Sequence, residues 1–214
     1  MRILQVFNRY VQMGGEEKSV DRIYGHLGQE HEVERCFFES RDWTKEGAPG
    51  KLGQLRRTFY NPESRAKFEK SCDAFKPDVA LFHNPYPVGS PSLYHAAKLR
   101  GLPVIQYMHN FRPFSVDGTL YAKGVFMEEA LRGNFWREVK VGAWQGSKLK
   151  SAIMALVLRR LHRSRWLDNV NAWVCISEFL RDKLVHGAGL PASRVHALRH
   201  SWDAMPEAPP QEDG

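Results

Sequence analysis

Short runs of apolar residues recur along the chain, and several of them end abruptly in a small polar cluster. The clearest runs are ILQVF at 3–7, VALF at 79–82, VIQYM at 104–108, AWVCI at 172–176 and VHAL at 195–198. Strands of a parallel sheet read as continuous apolar runs because helices cover both faces of the sheet. Segments with helical spacing lie between these runs. The alternation therefore predicts an α/β fold with a mostly parallel sheet and helices on both faces.

The same pattern predicts the order of the elements. The first unit is a strand over 2–8, a glycine turn and a helix over about 16–29, where apolar residues repeat at helical spacing. The stretch over 110–146 has no clear period, and long loops of this kind are usually functional or mobile. The remaining elements are a strand over 31–40, a short helix near 51–59 in a polar loop over 41–62, a helix over 63–75, a strand over 79–84, a helix with Ser90 or Ser92 as its N-cap that ends at Gly101, a strand over 104–109, a helix over 147–166, a strand over 172–177, a helix over 178–186 and a strand over 195–200.

Polar residues directly follow the five apolar runs. They are Asn8, His83-Asn84, His109-Asn110, Ser177-Glu178 and Arg199-His200-Ser201. Ligands of open α/β sheets bind in a crevice outside the carboxyl ends of the strands. Strand ends are also exposed and therefore often polar. Repetition across several strands nevertheless favours one ligand crevice lined by histidines, asparagines and the Ser-Glu pair.

The two His-Asn pairs are the main chemical candidates in this crevice. A histidine at a strand end can exchange a proton near neutral pH or hold a ligand hydroxyl. The alternative for His83 and His109 is a hydrogen bond to loop backbone. Ser177 is a natural helix N-cap and Glu178 suits a helix N-terminus, so a structural role is favoured for that pair.

Gly14-Gly15 lies between the first strand and the first helix. Glycines there either form an ordinary turn or let the backbone approach a phosphate or a sugar closely. The sequence has no GxGxxG, GxxxxGK[ST] or GxSxG motif, which disfavours a dinucleotide redox enzyme, a P-loop nucleotidase and a hydrolase with a nucleophile elbow. Carboxylates do not cluster around the histidines, so no metal site is expected.

Composition narrows the class of protein. The 214 residues are 43% apolar and 26% charged, which suits a globular domain with a proper core. Three widely separated cysteines, Cys36, Cys72 and Cys175, indicate reduced thiols in a cytosolic protein, with Cys175 in a buried strand. The net charge of +7 points to a phosphorylated ligand, an anionic membrane surface or nucleic acid.

The basic helix over 147–166 carries part of that charge, and no Asp or Glu occurs from Val139 to Leu167. Its apolar and basic residues are interleaved, which allows two interpretations. The helix could lie on an anionic membrane surface, or it could pack in the core with its charged ends in water. Packing is favoured slightly. Nucleic acid is not expected, because no RRM, KH or helix-turn-helix pattern is present.

Several motifs occur in an order that resembles the N-terminal domain of retaining GT-B glycosyltransferases, the family often called group 1 or family 4. The motifs are ILQVFNRYVQMGGEE, KPDVALFHN, GLPVIQYMHN and VCISEFLRDKLVHGAGLPASRV. The resemblance covers about residues 1–201 and implies a Rossmann-like domain that binds the acceptor. A second domain would bind the nucleotide-diphosphate sugar, which is the donor substrate, and no cofactor is implied.

The resemblance also implies roles for individual residues. His109 would lie at the reaction centre and is the candidate catalytic residue, while Gly14 and Gly15 would border the donor phosphates and the acceptor. Asn84, Asn110 and Glu178 would be substrate-binding residues on the acceptor side. The acceptor pocket itself would be built by residues 41–62 and 110–146.

Two departures from the family pattern limit these expectations. RHSWD at 199–203 replaces the usual Asn-Gly turn after the last strand, and residues 202–214 read as the start of an interdomain linker with no donor domain after it. The expected protein is therefore the acceptor-binding half of a cytoplasmic glycosyltransferase, inactive alone and open to peripheral membrane contact through 147–166. The alternative is a non-catalytic module that docks on a membrane or a partner protein through the same helix.

Overall fold

One parallel sheet forms the centre of the molecule, and the α/β prediction is confirmed. The computed structural model describes residues 1–12 and 14–199. Every neighbouring pair of strands in the six-stranded sheet is parallel. Its strands are β1 (Arg2–Arg9), β2 (Glu32–Glu39), β3 (Val79–Phe82), β4 (Val104–Met108), β7 (Val170–Cys175) and β8 (Val195–Ala197), and a small antiparallel hairpin is formed by β5 (Tyr121–Ala122) and β6 (Val125–Phe126).

The helices connect these strands. They are α1 (Gly15–Leu27), α2 (Lys51–Phe59), α3 (Pro62–Phe75), α4 (Ser92–Leu99), α5 (Trp136–Val141), α6 (Lys148–Arg163) and α7 (Glu178–Asp182), which continues as a π-helical turn over Lys183–Gly187. Short 3₁₀ turns occupy Ser40–Trp43, Glu128–Arg132, Trp166–Asn169 and Ala192–Arg194.

The strand order is β2-β1-β3-β4-β7-β8, which places β1 between β2 and β3. The chain therefore runs from β1 to one side and then crosses back over β1 to build the rest of the sheet on the other side. This reversal makes the carboxyl ends of β1 and β3 the topological switch point. In open α/β sheets, ligands bind outside the strands at such a point.

Helices cover both faces of the sheet, as the continuous apolar strands require. On one face, Leu4 and Phe82 pack in a large core with Phe68 of α3 and Tyr94 of α4. On the other face, Ile3, Leu81 and Tyr107 form a smaller core against α1. Successive strand residues thus alternate between two apolar cores, and this packing fixes the positions of the strand ends.

α6 is packed in the main core. Its buried stripe contains Met154, Val157, Leu158 and Leu161. Its solvent-facing side carries basic residues together with two leucines, Leu149 and Leu156, which are 73% and 53% exposed. The helix is therefore a core element that also presents an apolar and basic outer face.

Most predicted boundaries shift by a few residues, and three differences between the predicted and the observed elements are informative. Pro91 occupies the N-cap position of α4, but the Ser90 hydroxyl accepts from the Ser92 amide at 3.3 Å, so Ser90 still satisfies the first amide of the helix. The stretch over 110–146 is not wholly irregular, because it contains the β5–β6 hairpin and α5. α6 ends at Arg163, since Arg165 has a left-handed backbone with φ of 54°. His200, Ser201 and the linker assigned to 202–214 lie outside the described residues.

Candidate active site

The polar residues that follow β3 and β4 meet in one narrow cleft at the switch point. His83, Asn84, His109 and Asn110 all line this cleft, as does Glu16 from the start of α1. Backbone pairing aligns the strand ends, because the Asn8 amide donates to the Asn84 carbonyl at 2.9 Å. The sheet therefore brings together both predicted His-Asn pairs, which are 26 residues apart in sequence.

The two imidazoles are in direct contact. His83 Nδ1 lies 2.9 Å from His109 Nε2, and the rings stack with centroids 5.1 Å apart. His83 is 1% exposed, and burial together with the neighbouring His109 holds the pKa of His83 well below its ordinary value. His83 is thus a neutral, buried group beneath His109.

A second hydrogen-bonded set joins the loop after β1 to the ends of β3 and β4. Tyr10 donates its hydroxyl proton to Glu16 Oε2 at 3.0 Å, and Asn84 Nδ2 donates to the Tyr10 oxygen at 2.6 Å. Asn110 Nδ2 donates to the same Glu16 oxygen at 3.3 Å. Glu16 therefore links the two asparagines that the sequence singles out.

Glu16 is an unusual carboxylate. Burial raises its pKa to about 6, against the opposing effects of the Tyr10 hydrogen bond and the positive charge of Arg112. Burial also raises the pKa of Tyr10 well above its ordinary value. Within the described part of the chain, the buried Oε1 atom of Glu16 has no hydrogen-bond partner. Buried polar atoms of this kind require an explanation such as a water molecule or a ligand.

The loop that follows Asn110 is held from behind by Glu138 of α5. Glu138 is 1% exposed and accepts hydrogen bonds from the Ser115 hydroxyl at 2.6 Å and from the Val116 amide at 3.1 Å. Burial, together with the charges of Asp117 and Glu129, raises its pKa to about 7, although the hydrogen bonds oppose the shift. The hydrogen bonds show that Glu138 anchors the loop over 111–120.

This loop in turn fixes Asn110. The Phe111 amide donates to the Gly118 carbonyl at 2.7 Å, and Asn110 Oδ1 accepts from the Arg112 amide at 2.9 Å. Gly118 has φ of 89°, and a Cβ at that position would lie 3.2 Å from Asn110 Oδ1. A glycine is needed here for both the backbone conformation and the close approach.

Gly14 and Gly15 are placed beside Glu16, at the start of α1. Gly14 is the N-cap residue with φ of −121°, which any residue adopts. A Cβ added at either glycine would meet nothing within 4 Å. The fold itself therefore does not require these two glycines, and the space in front of them is open.

Glu178 is not brought into the cleft. It begins α7 at the carboxyl end of β7, its side chain is 63% exposed, and it makes a loose 4.0 Å ion pair with Arg181. Ser177 caps the helix by accepting from the Leu180 amide at 3.2 Å. The structural role predicted for Ser177 is confirmed.

A larger cavity of about 430 Å³ lies near the carboxyl end of β2. Its lining includes Phe38, Trp43, Asn61 and Lys67, and much of its wall comes from the loop over 41–62. Asn61 is the N-cap of α3, and its side-chain oxygen Oδ1 accepts from the Glu63 amide at 3.2 Å. This oxygen is therefore already hydrogen-bonded within the protein. The cavity combines aromatic and polar walls.

The sequence pattern did not single out Glu16 and Arg112, which line the cleft, or Tyr10, which bonds to Glu16 and Asn84. The signal for Glu16 was its place directly after the glycine pair. Among residues 1–12 and 14–199, no cluster of three or more His, Cys, Asp or Glu side chains could hold a metal ion. Over the same residues, no helix combines the length and apolar character that crossing a membrane demands.

The described geometry can be compared with known proteins. A model of the family Glycosyltransferase Family 4 matches residues 13–203, which is nearly the whole chain. The chain belongs to glycosyltransferase family 4. No curated protein sequence matches this family 4 chain.

Solved structures similar to this family 4 domain are remote in sequence. UDP-N-acetylglucosamine 2-epimerase from Rickettsia bellii is 12% identical over 92% of the domain, with a TM-score of 0.49. MnaA from S. aureus with UDP is 12% identical over 91%, with a TM-score of 0.49, and HepE from Anabaena with UDP is 15% identical over 95%, with a TM-score of 0.43. The chain spans 44%, 42% and 45% of the lengths of these three structures.

Proposed function

We propose that this family 4 domain is the acceptor-binding domain of a retaining GT-B glycosyltransferase. The reaction is transfer of a sugar from a nucleotide-diphosphate sugar to a hydroxyl acceptor. The observation that carries the proposal is the cluster of His83, His109, Asn84 and Glu16, joined at the switch point of the sheet. Membership of the family supports glycosyl transfer as the chemistry of this cleft.

His109 is the residue proposed at the reaction centre. It lines the cleft beyond the buried His83. Asn84 and Asn110 are proposed to bind substrate, and their bonds through Tyr10 and Glu16 support this because they hold both amides in fixed orientations. Glu178 remains a proposed residue of the acceptor side because it lies at the carboxyl end of β7. No metal or other cofactor is proposed.

Gly14 and Gly15 are proposed to border the donor phosphates and the acceptor. Two observations support this role: the open space beside both glycines, where a Cβ would have no neighbour within 4 Å, and the helix N-terminus that follows. Backbone amides at a helix N-terminus favour an anion. The buried Glu16 Oε1 beside them is suited to accept a hydrogen bond from a sugar hydroxyl.

The cavity lined by Trp43 is the proposed acceptor pocket. Most of its lining residues are charged or polar, and together with the aromatic rings of Phe38 and Trp43 they suit a ligand that carries hydroxyl groups. An acceptor with a ring that stacks on Trp43 would be expected to quench its fluorescence. We would titrate candidate glycosyl acceptors against the chain and against Trp43→Phe. Quenching that persists in Trp43→Phe would exclude this cavity as the pocket.

We propose that a second domain supplies the donor contacts, so that the 214-residue chain alone does not turn over. The test begins with the native protein, captured from its source cells by an antibody raised to this chain and sized by blotting. The captured protein is then incubated with radiolabelled UDP-, GDP- and ADP-sugars, and the anomeric configuration of any product is determined by NMR.

The expected result is a band near twice the 24.6 kDa mass of this chain, with transfer of sugar by the captured protein and none by the purified chain. The product should retain the donor's anomeric configuration. Transfer by the purified chain would refute the need for a second domain. Absence of transfer by captured protein that contains both domains would refute the proposed function.

A second candidate function is a non-catalytic module that docks on an anionic membrane or a partner protein through α6. The observation that favours membrane contact is the outer face of α6, where the exposed Leu149 and Leu156 lie with basic residues at helical spacing. Such a face can insert its apolar residues while its cations bind anionic lipid. The two candidates are compatible if the enzyme is peripheral to the cytoplasmic face of a membrane.

Vesicle co-sedimentation tests this surface. We would compare phosphatidylcholine vesicles with and without phosphatidylglycerol, using the native chain and the triple reversal Arg159→Glu, Arg160→Glu and Arg163→Glu. Each basic residue near an anionic surface contributes about 1 kcal/mol, so the triple reversal should weaken binding more than tenfold. The matched control reverses three exposed lysines elsewhere: Lys70, Lys76 and Lys98. Equal loss in both triples would indicate nonspecific charge attraction, and no binding by the native chain would leave α6 as a core helix only.

A further inference from the structure

A line of buried polar groups runs beneath His109. Gln5 lies in the middle of β1 and is fully buried, and His83 follows β3 with 1% exposure. Gln5 Nε2 lies 3.1 Å from His83 Nε2, and His83 Nδ1 lies 2.9 Å from His109 Nε2. Buried polar groups cost folding free energy, so a connected series of them calls for an explanation.

The orientation of the Gln5 amide is fixed by the backbone. Its nitrogen lies 3.0 Å from the carbonyl oxygen of Val20. A carbonyl oxygen can only accept a hydrogen bond, so the amide group that faces it must be the NH₂. The second hydrogen of this NH₂ then points to His83 Nε2, and that ring nitrogen has to accept.

The proton position on His83 follows from this contact. Burial keeps the His83 ring neutral by lowering its pKa, and a neutral imidazole has one donor and one acceptor nitrogen. Because Nε2 accepts from Gln5, the proton is on Nδ1 and is donated to His109 Nε2. His109 in its neutral form therefore carries its own proton on Nδ1.

We propose that Gln5 and His83 are positioning residues that fix His109 as the neutral Nδ1–H tautomer, so that His109 can donate a hydrogen bond but cannot act as a general base. If His109 carried a proton on Nε2, that N–H would point at the Nδ1–H of His83, and no hydrogen bond could form between the two rings. If His83 changed tautomer to relieve this, its own Nε2–H would face the NH₂ of Gln5. Both arrangements lose a hydrogen bond in a buried site.

The substrate chemistry that fits this state is an oxygen acceptor. A sugar hydroxyl oxygen or a phosphate oxygen can receive the Nδ1–H of His109, whereas a substrate group that must lose a proton needs a base other than His109. The proposal rests on the proposed function only in assigning His109 to the reaction centre. The tautomers themselves are properties of the folded chain.

The test is a long-range ¹H–¹⁵N correlation spectrum of the full chain with ¹⁵N-labelled histidine, recorded at neutral pH without substrate. The spectrum distinguishes the protonated nitrogen from the bare nitrogen of each ring. His83→Phe and His109→Ala spectra assign the two sets of signals. We expect both rings to be neutral with the proton on Nδ1. A proton on Nε2 of His109 in the native chain would overturn the proposal.

Two variants test the part played by Gln5. Gln5→Leu removes the donor to His83, and the single tautomer of each ring should become a mixture of two. Gln106→Leu is the matched control. Gln106 is also a buried glutamine next to His83. Its amide donates to the backbone carbonyl of His83 and not to a nitrogen of the imidazole ring. The control should keep both rings in the Nδ1–H form.

A folded Gln5→Leu protein with unchanged tautomers would refute the positioning role of Gln5. If that variant does not fold, the spectrum of the native chain and the His109 signals of His83→Phe, which should show mixed tautomers, still decide the question. No substrate is involved, so the outcome is separate from the outcome of the transfer assay. Sugar transfer with the opposite tautomer would refute this inference and leave the proposed function intact.

Discussion

Two carboxylates, the half-buried Glu16 in the cleft and the buried Glu138 behind the loop over 111–120, differ in how completely the protein satisfies them. Glu138 accepts from the Ser115 hydroxyl, and both of its oxygens accept from the Val116 amide. Glu16 accepts two hydrogen bonds at a single oxygen, and its other oxygen is buried with no partner in the part of the chain that the structure describes.

The difference separates a structural carboxylate, Glu138, from Glu16, for which we propose a role in binding substrate. A raised pKa is common to both, so the pKa shift alone does not identify the functional residue. The unsatisfied oxygen of Glu16 supports the proposed binding role, because the burial of this oxygen is not offset by a hydrogen bond. Substitution should therefore destabilise the fold at Glu138 and leave it intact or improve it at Glu16.

Glu138→Ala should have the largest effect. Removing the carboxylate leaves the Val116 amide and the Ser115 hydroxyl unsatisfied and creates a cavity, so the free energy of unfolding should fall by about 3 kcal/mol. Urea denaturation followed by circular dichroism measures the change. Glu138→Gln, which keeps the volume and one acceptor, should lose less than half as much. An alanine variant as stable as the native chain would show that the loop is anchored elsewhere.

The pH dependence of stability should separate the charge of Glu138 from its hydrogen bonds. The folded pKa of about 7 lies above the ordinary value of 4.5, so between these limits the native state holds a proton that the unfolded state has released. Stability therefore falls as pH rises through this window, by about 3 kcal/mol in total.

The measurement is the unfolding free energy of the native chain minus that of Glu138→Gln, at pH values from about 4.5 to about 8, which span the titration of the folded carboxyl. This difference should decline toward pH 7 and then level off. A difference that is constant with pH would mean that Glu138 titrates normally in the folded protein.

Glu16→Gln should increase stability by about 1 kcal/mol at pH 7.5, because the buried negative charge is removed while the amide oxygen can still accept from Tyr10. The gain should disappear near pH 4.5, where the native carboxyl is also protonated. Transfer by the intact enzyme should fall at least tenfold if Glu16 binds substrate. A stabilised variant with full activity would remove Glu16 from the proposed site.

Gly15→Ala should have the smallest effect on the fold. Nothing within 4 Å opposes a Cβ, so the free energy of unfolding should change by less than about 1 kcal/mol, with alanine favoured in the helix. Transfer by the intact enzyme should nevertheless fall if donor phosphates approach this backbone. The control is Gly25→Ala in the same helix, which also meets nothing within 4 Å; it should raise the free energy of unfolding by up to about 1 kcal/mol and leave transfer unchanged.

The sequence predicted the sheet and the residues at its carboxyl ends for a physical reason. Doubly covered strands must be apolar, so a sudden His-Asn pair marks the point where a strand leaves the core. The same reasoning placed His83 and His109 at one edge, and the structure brings their rings within 2.9 Å.

The partners of these residues could not be predicted in the same way. Tyr10 meets Asn84 across 74 residues and Glu16 meets Asn110 across 94, so no local spacing indicates either contact. Gln5 lies inside the apolar run ILQVF, so the pattern did not mark it as a polar site. Its contact with the His83 imidazole becomes visible only when β1 and β3 are paired. The capping predicted for Ser90 or Ser92 is met in part: Pro91 occupies the N-cap position, and the Ser90 hydroxyl accepts from the Ser92 amide.

The place of β1 between β2 and β3 has a consequence for how the protein is made. β1 emerges from the ribosome before β3, and these two neighbours are far apart along the chain, as shown by the bond between the Arg2 amide and the Asp78 carboxylate across 76 residues. At synthesis rates of about 5–20 residues per second, β3 is made roughly 4–15 seconds after β1. The side of β1 that pairs with β3 has no partner strand during that time. Nascent chains too short to include β3 should therefore need chaperone protection that longer ones do not.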